Sequence, residues 1–214
     1  MKNNLSFCVV LFFLSFCSLL LLHWKIDWEN RKINDIGNDC LVSVDGTDFA
    51  LAWGSNQRRL SCYKLKGKPG LRYKVAVCLR TSDIVWISGP HYPGLYNDLT
   101  IFRMGLINMF DEHERCEADD GYMGECPLKC KCPSGVTRRA ERDRMHNHQR
   151  SRQEHINERF KNWGCMHEKF RHSISKHRTC FNCVALLTQL AIEHGEELFS
   201  IEYDDNLTDQ DVGL

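Results

Sequence analysis

Residues 39–49 read DCLVSVDGTDF. From Cys40 the side chains alternate, Leu41, Ser43 and Asp45 against Val42 and Val44, which is the two-residue period of a β-strand. Asp45-Gly46 is turn chemistry, so the strand reads as ending in a turn at Gly46. Were it to continue, Asp48 would face the other side of the sheet and be structural.

Further strands and helices follow this first one. Leu71 to Leu79 and Asp83 to Ser88 are β-rich runs around Arg80-Thr81-Ser82, a hairpin. Asn97 or Asp98 caps a helix expected to run through Phe110, with Leu99, Phe102, Leu106 and Met109 on one face. Arg115 to Ala118 is a short strand leading into Asp119-Asp120-Gly121. Residues 138–163 form a basic helical stretch without Pro or Gly, and Thr179 to Glu193 is an apolar-striped helix. Antiparallel-capable strands followed by alternating helix and strand predict an α/β or α+β sheet with helices on its faces.

The chain has 214 residues, enough to bury a sizeable core, and 26% charged with 43% hydrophobic residues is a globular composition. The formal net charge is zero, which taken alone argues against a nucleic-acid binder. The zero is a sum of blocks. Residues 54–80 carry 8 Lys/Arg and no acid, residues 138–178 carry 12 Lys/Arg against 5 acids, and residues 179–214 carry 8 acids and no Lys/Arg. Two basic blocks therefore bracket an acidic middle, and an acidic tail cancels them.

Residues 5–22 are uncharged and apolar, a length that suits a signal peptide or a marginal membrane span. The 12 cysteines are irregularly spaced and read as mostly reduced thiols. Cys126, Cys130 and Cys132 with Cys180 and Cys183 contain only one C-x2-C knuckle, so buried free thiols are preferred to a zinc site. His172 and His177 read as structural or as groups near phosphate.

Three acids stand out by position: Asp45 at the first strand end, Asp119 at the later one, and Glu154 in the basic helix. Clustered carboxylates repel unless a cation joins them, so a convergent set suits Mg²⁺ or Mn²⁺. Paired ions of that kind promote phosphodiester cleavage. Each acid taken alone reads sooner as a turn residue or a solvated helix charge than as a catalytic group. Asp98, Asp120 and Glu158 are secondary candidates. Glu154 and Glu158 both point away from the stripe of Ile156, Phe160 and Trp163, so a metal-binding role would require reaching from the helix flank.

In order and spacing, DCLVSVDGTDF, KLKGKPGLRYKVAVCLRTSDIVWISGP, NDLTIFR, ERCEADDGYMGE, RSRQEHINERFKNWG and FRHSISKH resemble the catalytic core of PIF/Harbinger-type DDE transposases, the DDE superfamily endonuclease group. The resemblance implies an RNase H-like mixed sheet with flanking helices and metal-dependent DNA strand cleavage and transfer. It makes Asp45, Asp119 and Glu154 the catalytic and metal-binding acids. Asp119 is preferred to Asp120 because the family pattern puts its acid two residues before the Gly of Gly121-Tyr122. Glu154 is preferred to Glu158 by its spacing to Lys161. Asp98 resembles the Asp of the family's Gly-x-x-His-Asp region.

The basic blocks then become expected DNA contacts: Arg58, Arg59, Lys64, Lys66 and Lys68, then Arg138, Arg139, Arg142, Arg150 and Arg152. The domain plan is a hydrophobic segment at 1–24 of doubtful origin, a catalytic domain at 25–200 and an acidic tail at 201–214. The family's N-terminal DNA-binding region has no counterpart, which suggests a truncated start, a decayed or domesticated copy, or a separate DNA-binding partner. Expected partners are DNA and a second copy of the chain, and the resemblance implies a nuclear location. The competing reading is a membrane-anchored or secreted Cys-rich interaction protein, held by residues 5–22, with its later cysteines paired and a sequon at Asn206.

Overall fold

The alternation from Cys40 builds the centre of a five-stranded mixed sheet. The structure, a computed structural model, describes residues 25–32, 40–136 and 139–196. The hydrophobic segment at 5–22, the acidic tail and Asn206 lie outside these residues. The first strand, β1 (Cys40–Ala50), pairs antiparallel with β2 (Gly70–Cys78), which pairs antiparallel with β3 (Ile84–His91). On its other side β1 runs parallel to β4 (Arg115–Ala118), and β4 runs parallel to β5 (Cys130–Lys131). The spatial order is β3-β2-β1-β4-β5, with helices on both faces. The chain is thus α/β.

β1 does not stop at Gly46. Its pairing with β2 continues through Gly46↔Lys74 and Asp48↔Arg72 to Ala50↔Gly70. The turn preference of Asp-Gly is local, and the antiparallel ladder overrides it by satisfying the backbone groups of residues 46–50.

Strand parity sorts the core into two layers. Phe49 and Leu51, with Leu71, Tyr73, Val75 and Val77, pack under the helices α2 (Arg139–Lys161) and α4 (Ile174–Glu193) through Ile156, Phe160, Phe181, Val184 and Ala185. Val42, Val44, Ala76 and Cys78 pack with Phe102, Leu106 and Tyr122 on the opposite face. There the helix α1 (Asp98–Met104) ends at Gly105, and a 3-10 turn (Leu106–Met109) continues towards Phe110. A short helix α3 (Gly164–His167) links α2 to α4.

Two further features differ from the sequence reading. Trp163, expected on the apolar stripe, lies past the end of α2 and is largely exposed. The helix α4 begins at Ile174 rather than Thr179, because Ser173 caps it by accepting a hydrogen bond from the Lys176 amide.

His177 enters the core in the first turns of α4. It stacks on Tyr73 with centroids 5.5 Å apart, and its Nδ1 lies 2.9 Å from the Tyr73 hydroxyl. Nε2 is buried without a partner, so a second proton there would have no acceptor. Burial lowers the His177 pKa from 6.5 to about 4. A histidine with a depressed folded-state value contributes stability that is complete above pH 6.5 and is lost as the pH falls through about 4. Unfolding midpoints measured between pH 7 and pH 4 are expected to reveal a loss of about 3 kcal/mol from this group, at roughly 1.4 kcal/mol per pH unit. The same series in His177→Gln is expected to lack that component.

Candidate functional site

The parallel ladder between β1 and β4 ends at Val44↔Ala118. The next residue on each strand is an aspartate, Asp45 and Asp119. Continuing the register by one step sets them side by side where the parallel ladder ends, Asp119 just past the carboxyl end of β4 and Asp45 within β1, which runs on to Ala50. The Asp119 side chain accepts from the Gly121 amide at 2.9 Å and so caps the 3-10 turn Asp120–Glu125. The Asp45 carboxylate accepts from the Gly46 amide at 2.6 Å. Burial pushes the Asp45 carboxyl above its ordinary pKa, and Asp119 pushes the same way, while Lys64 and Lys74 oppose them.

A third aspartate arrives from α1. Asn97, not Asp98, is the helix cap: its Oδ1 accepts from the Thr100 amide at 2.8 Å. That leaves the Asp98 carboxylate for the sheet, where it pairs with Lys74 and lies 3.4 Å from Arg72. Arg72 also forms a two-pronged pair with Asp48, at 2.8 and 2.9 Å. Burial alone would raise the Asp98 carboxyl, but Lys74, Arg72 and Lys64 together bring it below its ordinary value. Lys74 is 1% exposed, and burial lowers its ammonium pKa against the pull of Asp98 and Asp45.

Gly46 allows this close approach. A Cβ built there would lie 2.8 Å from Asp98 Oδ1 and 3.0 Å from Lys74 Nζ. The glycine of the Asp-Gly pair thus serves packing against the ion pair, not a turn.

Tyr122 closes the floor. Lys74 donates to its hydroxyl and also lies 4.7 Å from its ring centroid. Burial pushes the Tyr122 phenol well up, and Asp45, Asp98 and Asp119 each add to the rise. All three aspartates are therefore near enough to Tyr122 to act on it electrostatically.

The glutamates are not gathered with them. Glu154 and Glu158 are exposed on α2, whereas the neighbouring Gln153 faces the sheet, its Nε2 donating to Ser43 Oγ at 3.1 Å. Among the described residues no group of three His, Cys, Asp or Glu side chains is placed to hold a metal ion. Asp120 is bound elsewhere, with its two oxygens accepting from the Ser134 amide and hydroxyl at 2.9 and 2.7 Å.

The expected DNA-contact residues divide. Arg58, Arg59, Lys64, Lys66 and Lys68 are exposed on the lobe between β1 and β2, and Arg139 is exposed at the start of α2. Arg142 is half-buried. Arg138 and the Arg150 side chain lie outside the described residues. Arg152 is a correction: it is 3% exposed and ion-paired with Glu117, so it serves the packing of α2 on β4 and not a phosphate. Tyr122 is a group of this site that the sequence reading does not single out, and Lys74 enters that reading only as one of the basic run at 54–80. Arg72 and Lys74 alternate with Leu71, Tyr73 and Val75, a sign that both cations share one face of a strand.

The ten described cysteines are all free thiols. No helix among the described residues is long and apolar enough to cross a membrane. No family model, curated protein or solved structure matches the chain.

Proposed function

We propose that this chain is a DNA-cleaving domain of the DDE transposase type, with an RNase H-like fold and a divalent cation held by Asp45 and Asp119. The observation that carries the reading is the placement of these two aspartates at the first step beyond the parallel β1–β4 ladder. The strand order β3-β2-β1-β4-β5, with β2 antiparallel to both neighbours, is compatible with that fold. Mg²⁺ or Mn²⁺ at this pair would supply Lewis acidity and an acidified water.

The chain's own residues do the rest. Asp98 and Tyr122 hold Lys74 beneath the pair. Lys64 donates to the Gly46 carbonyl at 3.4 Å and lies 3.9 Å from Asp45, so a cation is poised where a phosphate would approach. The exposed Arg and Lys of the lobe supply contacts to phosphate that carry no sequence information. Glu154 enters this reading as a residue outside the aspartate group, able to join only by a change in its side chain or in α2.

The test is nicking of supercoiled plasmid by the full chain. Conversion to the open circle with Mn²⁺ or Mg²⁺, abolished by EDTA, is the expected result. Cleavage that persists in EDTA overturns the metal reading, and no cleavage under any divalent ion overturns the nuclease reading.

A further inference from the structure

The lobe between β1 and β2 carries a side chain that neither the fold nor the carboxylate site uses. Tyr63 is 95% exposed, the most exposed large apolar side chain among the described residues. Isolated apolar residues on a surface are ordinary. Tyr63 differs in how it is held and in what surrounds it.

Its segment is a closed, tight loop. The Cys62 amide donates to the Lys68 carbonyl, and the Cys62 carbonyl accepts from the amides of Leu65 and Gly67. The Lys66 amide donates to the carbonyl of Tyr63 itself. Lys66 and Gly67 both take positive φ, 55° and 77°, which turns the chain back on itself. Leu60 and Cys62 are fully buried and anchor the loop, and Ser61 bridges to Pro69 at its neck. The Tyr63 backbone is therefore fixed, and an aromatic ring fixed in this way loses little freedom when another flat group covers it.

Its surroundings are cationic. Lys64, Lys66 and Lys68 follow it, Arg58 and Arg59 precede it, and all are exposed. No acid occurs from residue 54 to residue 80. Lys64, the next residue, is the one that reaches Asp45. The ring thus stands one residue from the side chain that meets the catalytic carboxylate.

An exposed aromatic among lysines and arginines is the arrangement that binds single-stranded nucleic acid: the cations follow the phosphates, and the ring stacks on a base. In an intact duplex the bases cover each other and offer only their edges, so a single projecting ring finds no face to stack on. We propose that Tyr63 stacks on an unpaired base of the DNA strand whose phosphate lies at Asp45 and Asp119, and that the lobe selects a frayed or single-stranded end over intact duplex. This rests on the nuclease reading for the identity of the strand, but not for the stacking itself.

The experiment measures binding in EDTA, where no metal-dependent cleavage occurs. The full chain is titrated, by fluorescence anisotropy, into a labelled single-stranded oligodeoxynucleotide and into the blunt duplex of the same sequence. Tyr63→Ala is expected to weaken single-strand binding by about 5- to 150-fold, the range for losing one stacked base, and to change duplex binding by less than about twofold. Tyr63→Phe keeps the ring and is expected to bind as the parent does. Undiminished single-strand binding by Tyr63→Ala, an equal loss on both DNAs, or an equally weak Tyr63→Phe overturns the proposal. Stacking by Tyr63 without nicking under any metal would remove the nuclease reading alone. Nicking with unaltered binding by Tyr63→Ala would remove this inference alone.

Discussion

Asp45→Asn is expected to lower plasmid nicking by on the order of a thousandfold while making the protein harder to unfold. The first effect follows from the loss of one of only two carboxylates in the pair, since the cation they would share contributes several kcal/mol of charge stabilisation. The second follows from the environment of the carboxyl. Burial raises its pKa in the fold, and Asp119 adds to the rise. The folded chain therefore holds that proton more tightly than the unfolded chain does. Wild-type stability from this group is complete at low pH and is lost as the pH rises through the folded-state value. Asparagine carries no such penalty, so its denaturation midpoint is expected to exceed that of the wild type at neutral pH. The gap is expected to close under acid. Urea unfolding at pH 7 and at pH 3.5, beside the nicking assay, checks both. An asparagine variant that nicks normally would exclude Asp45 from the chemistry. One that is less stable at pH 7 would mean that the fold needs the charge.

Lys74→Met is expected to destabilise the domain by about 3 kcal/mol at pH 7, the lower end of the range for removing one partner of a buried ion pair. The lower end applies because Asp98 keeps Arg72 at 3.4 Å when the ammonium is gone, and because the variant no longer buries an ammonium whose pKa the fold lowers. Methionine fills similar space, so the loss reports charge and not a cavity. Asp98 has its pKa depressed in the fold, so its pairing contributes above the ordinary carboxyl value and is lost as the pH falls through the folded one. The difference between wild type and Lys74→Met is therefore expected to shrink as Asp98 is protonated. Denaturant titrations at pH 7 and pH 3 measure it. A variant as stable as wild type at pH 7 would show that Lys74 is not the counter-ion of the aspartates.

The sequence made some of this architecture legible, and the exceptions have physical causes. The strand at Cys40 was readable from alternation, but its second half was hidden by an Asp-Gly pair whose glycine is needed for the approach of Asp98 and Lys74, not for a turn. Asp45 and Asp119 were legible because each is followed by turn chemistry that reads as a strand end, although at Asp45 the strand runs on to Ala50. Asp98 was found as well, but as a presumed cap, because Asn97 and Asp98 are equally suited to capping and only the fold shows which one turns to the sheet. Lys74 stands in the sequence only as one of the 8 Lys/Arg of the acid-free block at 54–80. Its partner comes from a distant helix, and no local pattern reveals such a pairing. The two-residue β5 is too short to produce any period. Helical phase had already directed Glu154 away from the apolar stripe, and the structure places it on the exposed side.

The parallel pairing of β1 with β4 has a further meaning for the order in which the chain folds. The meander of β1, β2 and β3 joins neighbours in sequence, so its loops close early and at small entropic cost. β4 must return across that whole meander and α1 before Ala118 meets Val44. Such long-range parallel contacts form late. Asp45 and its lysines can therefore meet before Asp119 is in place, and the repulsion between the two carboxylates enters only when β4 docks. On that ordering the aspartate pair acts on a late step, so a substitution at Asp119 is expected to change chiefly how fast the native sheet opens.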